Sequence, residues 1–327
     1  VLTLPKPLHT QVVARIKILS KLRTDEHLSA QDGKMTASLK EEDLDIRVSI
    51  VPIVEGEKVV LRLLTAYFRQ FGLTDLGMSQ NDLEKVKKGF GKPFGMILST
   101  GPTGSGKTTT IYAILKILNT RDKNIATIED PVEYDIEGIN QIQVNPKTNL
   151  NFAEGLRSIL RQDPDIIYVG EIRDNETADI AINSAMTGHL VLSTLHTNDA
   201  ATSLPRLLDM GVEPFLVAST INVIIAQRLV RKICERCKVS YLTSMTQIGK
   251  IIPTKLLQKH LGTQSQIRLF KGSGCLLCHK TGFSGRVGIF EILRITEEVK
   301  EMIMQKKDSS QISKKAIEGG MSTMIED

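Results

Sequence analysis

The residues Gly101-Pro102-Thr103-Gly104-Ser105-Gly106-Lys107-Thr108, followed by Thr109, fit the spacing G-x-x-x-x-G-K-[ST]. An apolar β-like run, MILST at 96–100, leads into them, and a helical pattern, TTTIYAILKIL, leads out. In that setting the glycines let backbone N–H groups curl around phosphates, and the helix N-terminus adds partial positive charge. Lys107 reaches the β- and γ-phosphates and the Thr108 hydroxyl ligates Mg2+, so ATP or GTP is the expected ligand.

A phosphate-binding loop also needs a carboxylate on a neighbouring strand, to hold the metal shell and polarise the attacking water. Glu171 stands at the end of the buried-strand run in DIIYVGEIRD, and Glu129, Asp130 and Glu133 crowd the end of TIEDPVEY. Acidic residues at strand ends also serve as helix caps or solvated loops, but the phosphate-binding loop favours the catalytic reading. Whether Glu171 or Glu133 is the general base stays open. His189 and His196 bracket LVLSTL seven residues apart, so strand alternation sends them to opposite faces. His196 follows the strand, at the carboxyl edge where open α/β sheets bind ligands, and is the better phosphate sensor. His189 is open to the structural reading, a histidine hydrogen-bonded in the fold.

Two arginine pairs extend the list. Arg157 and Arg161 lie four residues apart on a helical stretch whose Leu156, Ile159 and Leu160 face inward, so both guanidinium groups share an exposed face and ask for an anionic partner. Arg47 and Arg62 lie in DIRVSIVPIVEGEKVVLRLL (45–64), which reads as a hairpin turning at Glu55-Gly56. That turn sets Ser49 opposite Arg62 with Arg47 diagonal to it, both arginines on one face. Surface arginines are often merely solvated or salt-bridged. A pair in each domain of a nucleotide-binding chain points instead to triphosphate contacts.

All four cysteines fall in two C-x-x-C pairs, Cys234/Cys237 and Cys275/Cys278, separated by residues 238–274. Two such knuckles bring four thiolates into a tetrahedral array, the closed geometry of structural Zn2+. The separation asks for a subdomain to fill the loop. His279 is a spare or alternative ligand, although its adjacency to Cys278 makes joint ligation awkward. Free buried thiols or a redox pair are the competing reading.

The elements that must position these residues follow from composition and pattern. At 327 residues, 41% hydrophobic and 24% charged, the chain is an ordinary folded protein of about two domains, not a disordered or low-complexity one. Its net charge of +5, with both signs mixed along the chain, argues weakly for a polyanionic partner. No run of 18 or more apolar residues occurs; Phe215 to Ala226 carries Ser219, Thr220 and Asn222 and reads as a buried helix. No charged n-region leading into an apolar h-region is visible from Val1 onward, and with the cysteines in metal-like pairs the cytoplasm is the expected compartment. Apolar runs at 96–100, 124–128, 165–172 and 190–195 alternate with helical patterns at 107–118, 153–162 and 174–187. Such alternation gives a parallel sheet covered by helices on both faces. Residues 1–66 are expected to form a first domain, with a packing helix at His9 to Leu22 and earlier strands missing before residue 1. A linker follows at 67–82, with a fresh helix from Leu83, and a nucleotide-binding domain at 83–327 holds the zinc-binding subdomain at 234–278.

Taken together, GPTGSGKTT (101–109), TIEDPVEY (127–134), LRSILRQDPDIIYVGEIRD (156–174) and TGHLVLSTLHTNDA (187–200) resemble the Walker A, aspartate box, Walker B and histidine box of the secretion ATPase superfamily. RIKILSKL (15–22), QDGK (31–34) and the 47–64 hairpin are similar to that family's second N-terminal domain. The C-x-x-C pairs resemble the branch of type II secretion and type IV pilus assembly ATPases. The resemblance implies an α/β fold, with a RecA-like P-loop domain carrying a zinc-binding insertion and a smaller, partial PAS-like α+β domain before it. It also implies a cytoplasmic homohexamer, peripheral at the inner membrane, with ATP held between the two domains. Hydrolysis would power assembly of pilin-like subunits through an inner-membrane platform protein, with a cytoplasmic adaptor bound through an N-terminal region that precedes residue 1. Further helices are expected after GMSTMIED. Arg47 and Arg62 correspond to the N-terminal arginine contacts and Arg157 and Arg161 to a second cluster, while Gly170-Glu171 reproduces the family's Gly-Glu ending of Walker B.

Two other classes compete. A nucleic-acid motor for DNA uptake or transfer is favoured by zinc knuckles and positive charge, but the absence of Trp and only 4% aromatics leave few stacking platforms, so no specific nucleic acid is expected. A non-hydrolysing nucleotide-binding scaffold is disfavoured by the presence of both Glu171 and Glu133.

Overall fold

The computed structural model describes residues 3–39, 42–64, 72–262 and 264–327. The chain divides into two units, Val1–Phe71 with Glu133–Asp135, and Gly72–Val132 with Ile136–Asp327.

In the first unit, Leu44, Ile46, Val48 and Ile50 recur at every second residue, which puts them on one face of a strand. They form a small core with Val13 and Ile16 of helix α1 (His9–Leu19). Strands β1 (Gln31–Leu39), β2 (Glu42–Ile53) and β3 (Gly56–Leu64) make an antiparallel sheet in that order. β1 was not expected, because QDGKMTASL opens on four residues without an apolar side chain and alternates only from Met35 through Ala37 to Leu39; Met35 and Ala37 pack on this core.

Two further expectations are corrected here. The hairpin turns at Val54-Glu55, so Arg47 stands directly opposite Arg62 and Ser49 opposite Val60. Gly56, at φ +121°, takes the position just after the turn, and the two-residue shift keeps both arginines on one face. The helix stops at Leu19 instead of Leu22. Lys17 is fully buried: its Nζ lies 2.6 Å from Glu57 Oε1 and donates to the Glu26 carbonyl at 2.7 Å. A buried ammonium persists only with such partners.

The second unit begins with α2 (Gln80–Phe90), where the Ser79 side chain accepts the Asp82 N–H at 3.2 Å. That N-cap starts the helix three residues ahead of the expected Leu83. The expected linker at 67–82 lies partly outside the described residues, while Leu73 and Met78 are buried.

Strands β4 (Gly95–Thr100), β5 (Ile125–Glu129), β6 (Asn140–Gln143), β7 (Ile166–Val169), β8 (Leu190–Leu195) and β9 (Ile221–Ile233) are parallel. After the pair β10 (Lys238–Ser244) and β11 (Gln266–Gly272), β12 (Phe283–Arg294) closes the sheet by antiparallel pairing with β9. The order is β12-β9-β4-β8-β7-β5-β6. Every residue of β4, β5, β7 and β8 is buried, as strands covered on both faces must be.

Helices α3 (Lys107–Leu118), α4 (Phe152–Leu160), α5 (Asn175–Met186), α6 (Ser203–Asp209) and α7 (Pro214–Thr220) fall between the strands. Asn151 and Asp174 cap α4 and α5, each accepting a backbone N–H at 2.8 Å, a contribution of about 1 kcal/mol apiece. The expected buried helix at Phe215 to Ala226 is in fact α7 followed by the start of β9. The β-branched run Ile221, Val223, Ile224 and Ile225 fits the pleated sheet better than a helix. The insertion holds β10, α8 (Met245–Ile248), α9 (Thr254–Leu261) and β11, and α10 (Glu297–Met304) and α11 (Ser309–Glu318) follow β12.

Candidate functional site

β4 delivers the chain to a loop that only glycine can shape. Gly101, Gly104 and Gly106 have φ of +144°, +79° and +92°, and a Cβ on Gly101 would stand 2.5 Å from the Gln227 carbonyl oxygen. Gly106 caps α3, whose first residues are Lys107, Thr108 and Thr109. Pro102, Thr103 and Gly104 are exposed at the loop's crest, and nothing lies within 4 Å of a Cβ on Gly104. The Ser105 hydroxyl is buried without a hydrogen-bond partner among the described residues.

Lys107 is buried, and its ammonium donates to the carbonyls of Gly101 at 2.9 Å and Pro102 at 3.2 Å. Burial pushes its pKa down, against the opposing pull of the Glu171 carboxylate. A glycine cradle on a helix N-terminus, an unpartnered hydroxyl and a lysine held over the loop are the donor set that a nucleotide phosphate requires, and the Thr108 hydroxyl oxygen at the start of α3 suits its Mg2+.

Glu171 follows β7, at the carboxyl end of the sheet. Its carboxylate meets Arg173 Nη2 at 2.5 Å and His196 Nε2 at 3.3 Å, His196 being the first residue after β8. The parallel pairing of β7 with β8 brings Glu171 and His196 together. Arg173 was missed from the sequence, although it stands in the same run, two residues beyond Glu171. His189 takes the structural alternative: its Nδ1 lies 3.0 Å from the Ser184 carbonyl, which only accepts, so Nδ1 carries the proton.

The acids of TIEDPVEY divide. Glu129 is buried and accepts from Tyr112 Oη at 2.5 Å, Thr127 Oγ1 at 2.6 Å and Gln141 Nε2 at 3.1 Å, which ties α3 to β5. Glu133 belongs to the first unit, where its Oε2 lies 2.6 Å from Arg47 Nη2. Arg62, across the ladder from Arg47, is exposed.

Arg157 and Arg161 do not stand as a bare pair. Arg157 bonds Glu154 at 2.7 Å and Glu176 at 2.5 Å, and Glu176 is the main cause that raises its pKa. Arg161 caps α4 and donates to Ser158 Oγ at 3.1 Å. The like-charge repulsion read from the sequence is therefore already answered at Arg157 by two carboxylates.

The four cysteines converge. Cys234, Cys237, Cys275 and Cys278 place their sulfurs within 4.8 Å of one another, with Cys234–Cys275 at 3.9 Å, Cys237–Cys278 at 3.8 Å and Cys275–Cys278 at 3.6 Å. Four thiolates at about 2.3 Å from a tetrahedral Zn2+ stand about 3.8 Å apart, so the set fits that metal. The backbone N–H groups of Cys275 and Gly282 point at Cys278 Sγ and lower its pKa to about 6, while burial raises that of Cys237 to about 11. His279 is not part of the cluster.

The family model described as Type II/IV secretion system protein matches residues 1–327. The chain is 46% identical to the type IV pilus assembly ATPase PilB of Thermus thermophilus, over 99% of this chain and 36% of that protein. It is 44% identical to the type II secretion system protein E of Pseudomonas aeruginosa, over 95% of this chain and 60% of that protein. The chain thus spans from 36% to 60% of the length of these two curated relatives. Among solved structures, that of the pilus retraction motor PilT with bound ADP is similar at a TM-score of 0.58 and 27% identity, over 90% of this chain and 76% of that one.

Proposed function

The chain belongs to the type II/IV secretion system protein family, and on that premise we propose that it is the ATPase of a motor that powers assembly of type IV pilus or type II secretion pseudopilus subunits. The observation that carries the reading is the buried Lys107, folded over a phosphate-binding loop and electrostatically coupled to Glu171.

Residues 101–109 would hold the triphosphate of ATP, with Lys107 on its outer phosphates and Thr108 toward Mg2+. That ion, when bound, draws off charge from the phosphate oxygens. Glu171, oriented by Arg173 and His196, or Glu133, paired with Arg47, orients the attacking water and takes up its proton. Arg47 and Arg62, with Arg157 and Arg161, are assigned to the charge of the triphosphate. Cys234, Cys237, Cys275 and Cys278 would hold one Zn2+, which supplies cross-linking of the insertion and no open coordination position for catalysis.

The working unit in this proposal is a cytoplasmic homohexamer, peripheral at the inner membrane, engaged with a platform protein and, through a preceding region, with an adaptor. Among the described residues no helix is long and apolar enough to cross a membrane. The test is phosphate release from MgATP by the purified chain, with and without DNA. Turnover indifferent to DNA supports the secretion reading, DNA-stimulated turnover favours a nucleic-acid motor, and MgATP binding without turnover favours a scaffold.

A further inference from the structure

Gln227 is a polar side chain, 2% exposed, at the heart of the sheet. It sits on β9 one residue beyond Ala226, the partner of Thr100 at the end of β4, and so lies level with the start of the phosphate-binding loop. Its Nε2 donates to the Ser105 carbonyl at 2.9 Å. Its Oε1 accepts the Ser99 hydroxyl at 3.2 Å. The two bonds fix the direction of the amide, because the carbonyl only accepts and the hydroxyl is then the donor. There is no slack around it: a Cβ on Gly106 would stand 3.1 Å from Gln227 Nε2.

We propose that Gln227 is a positioning residue of the phosphate-binding loop, holding the peptide between Ser105 and Gly106 so that the Gly106 N–H faces the anion. The proposal rests on the reading of 101–109 as a nucleotide site. A trans peptide is planar, with its C=O and N–H pointing in opposite directions. Among the described residues the one cis bond is Asp130–Pro131, so the 105–106 peptide is trans. Drawing the Ser105 oxygen inward onto Gln227 therefore turns the Gly106 N–H outward, away from the sheet. Gly106, at φ +92°, accepts this orientation without strain. A donor fixed before the ligand arrives needs no reorganisation when charge appears, which is where preoriented N–H groups gain their effect. Without the glutamine, the peptide is free to rotate and the donor is lost for part of the time.

Ser99 acts on the loop through Gln227, which gives the proposal its signature. Gln227→Met keeps length and volume but removes both hydrogen bonds. We expect it to weaken MgADP binding about tenfold, with a much smaller change in the rate at saturating MgATP; the buried Ser105 carbonyl and Ser99 hydroxyl left without this partner should also lower the melting temperature by a few degrees. Ser99→Ala should weaken MgADP binding severalfold by itself and add nothing in the Gln227→Met background. Titration calorimetry with MgADP on the four proteins reads this directly. Wild-type MgADP affinity in Gln227→Met, or a Ser99→Ala effect that adds in full to it, overturns the positioning role. If Gln227→Met does not fold, Ser99→Ala alone decides, and unchanged affinity there also overturns it. A wild-type chain without MgADP affinity would instead remove the nucleotide reading beneath it.

Discussion

His196 Nε2 lies 3.3 Å from Glu171 Oε2, and Arg173 holds the other oxygen of the same carboxylate at 2.5 Å. The carboxylate is thus fixed in direction beside the strand end that faces the phosphate-binding loop, and it acts on Lys107. If Glu171 is the general base, Glu171→Gln should cut single-turnover hydrolysis at least about a hundredfold with MgATP binding retained. Glu133→Gln should cut it less. The opposite order would assign the base to Glu133.

Lys107→Ala should abolish turnover, a loss of at least about a hundredfold, because among the described residues no other ammonium is held over the loop carbonyls. The sheet does not depend on it, so the melting temperature should move by only a few degrees. Hydrolysis and thermal melting measured together check both halves. Near-normal turnover would exclude this loop as the active site.

The cysteine cluster should carry about one zinc per chain by elemental analysis. A strong chelator should expose residues 234–278 to protease and leave nucleotide binding intact. Metal-free protein with four titratable thiols and unchanged protease resistance would count against the site.

Arg62 is exposed on a unit whose described residues include no phosphate-binding loop. An arginine delivered to a γ-phosphate contributes about 10³–10⁵ in rate, so Arg62→Ala should depress turnover far more than MgATP affinity. If the working unit is a ring, activity per chain should rise with protein concentration as the ring assembles. A dilution series with sedimentation tests both. Full turnover in Arg62→Ala, or constant activity in a strict monomer, would take the first unit out of the mechanism.

Near the end of the chain, Lys259 at 2.9 Å and then the Thr323 N–H hold Glu326 down to about 2 from an ordinary 4.5. A carboxylate with a depressed pKa contributes stability above its ordinary range and loses it as pH falls toward the folded value. Glu326→Gln should therefore melt a few degrees below wild type near pH 7, and the gap should close between pH 4.5 and about 2. Lys259 is 64% exposed, so screening holds the contribution to about 1 kcal/mol. A gap that does not change with pH would show that the ion pair is not its source.

Strands β4, β5, β7 and β8 and the phosphate-binding loop were legible because buried strands read as continuous apolar runs and the loop's glycines have no cheaper substitute; β6, with the polar sequence NQIQ, was not read. Three features were not. β1 hides in a polar stretch, since Met35 and Ala37 suffice to seat it on a small core. β9 was obscured because an apolar run of helical length says nothing of its period once both faces are buried. Averaging concealed the charge distribution: from Arg228 to Arg286 twelve Lys and Arg stand against Glu235 as the one acidic residue. The net +5 is therefore the sum of a basic insertion and an acidic remainder. In the candidate site, Glu171, His196 and Lys107 were read from position relative to strands. Arg173 stands in the quoted Walker B run without a role suggested by its spacing, while Gln227 carries no motif, and only the register of β9 beside β4 reveals what it touches.

β9 runs unbroken from Ile221 to Ile233, beside β4 for its first half and β12 for nearly all its length, and the next residue is Cys234. A pull on the cysteine knuckle along that axis would load the flanking ladders in shear, so that many hydrogen bonds must yield together instead of opening one after another. β9 is in this sense a tie rod. Force taken up at the insertion reaches the strand that holds Gln227 before either ladder gives way.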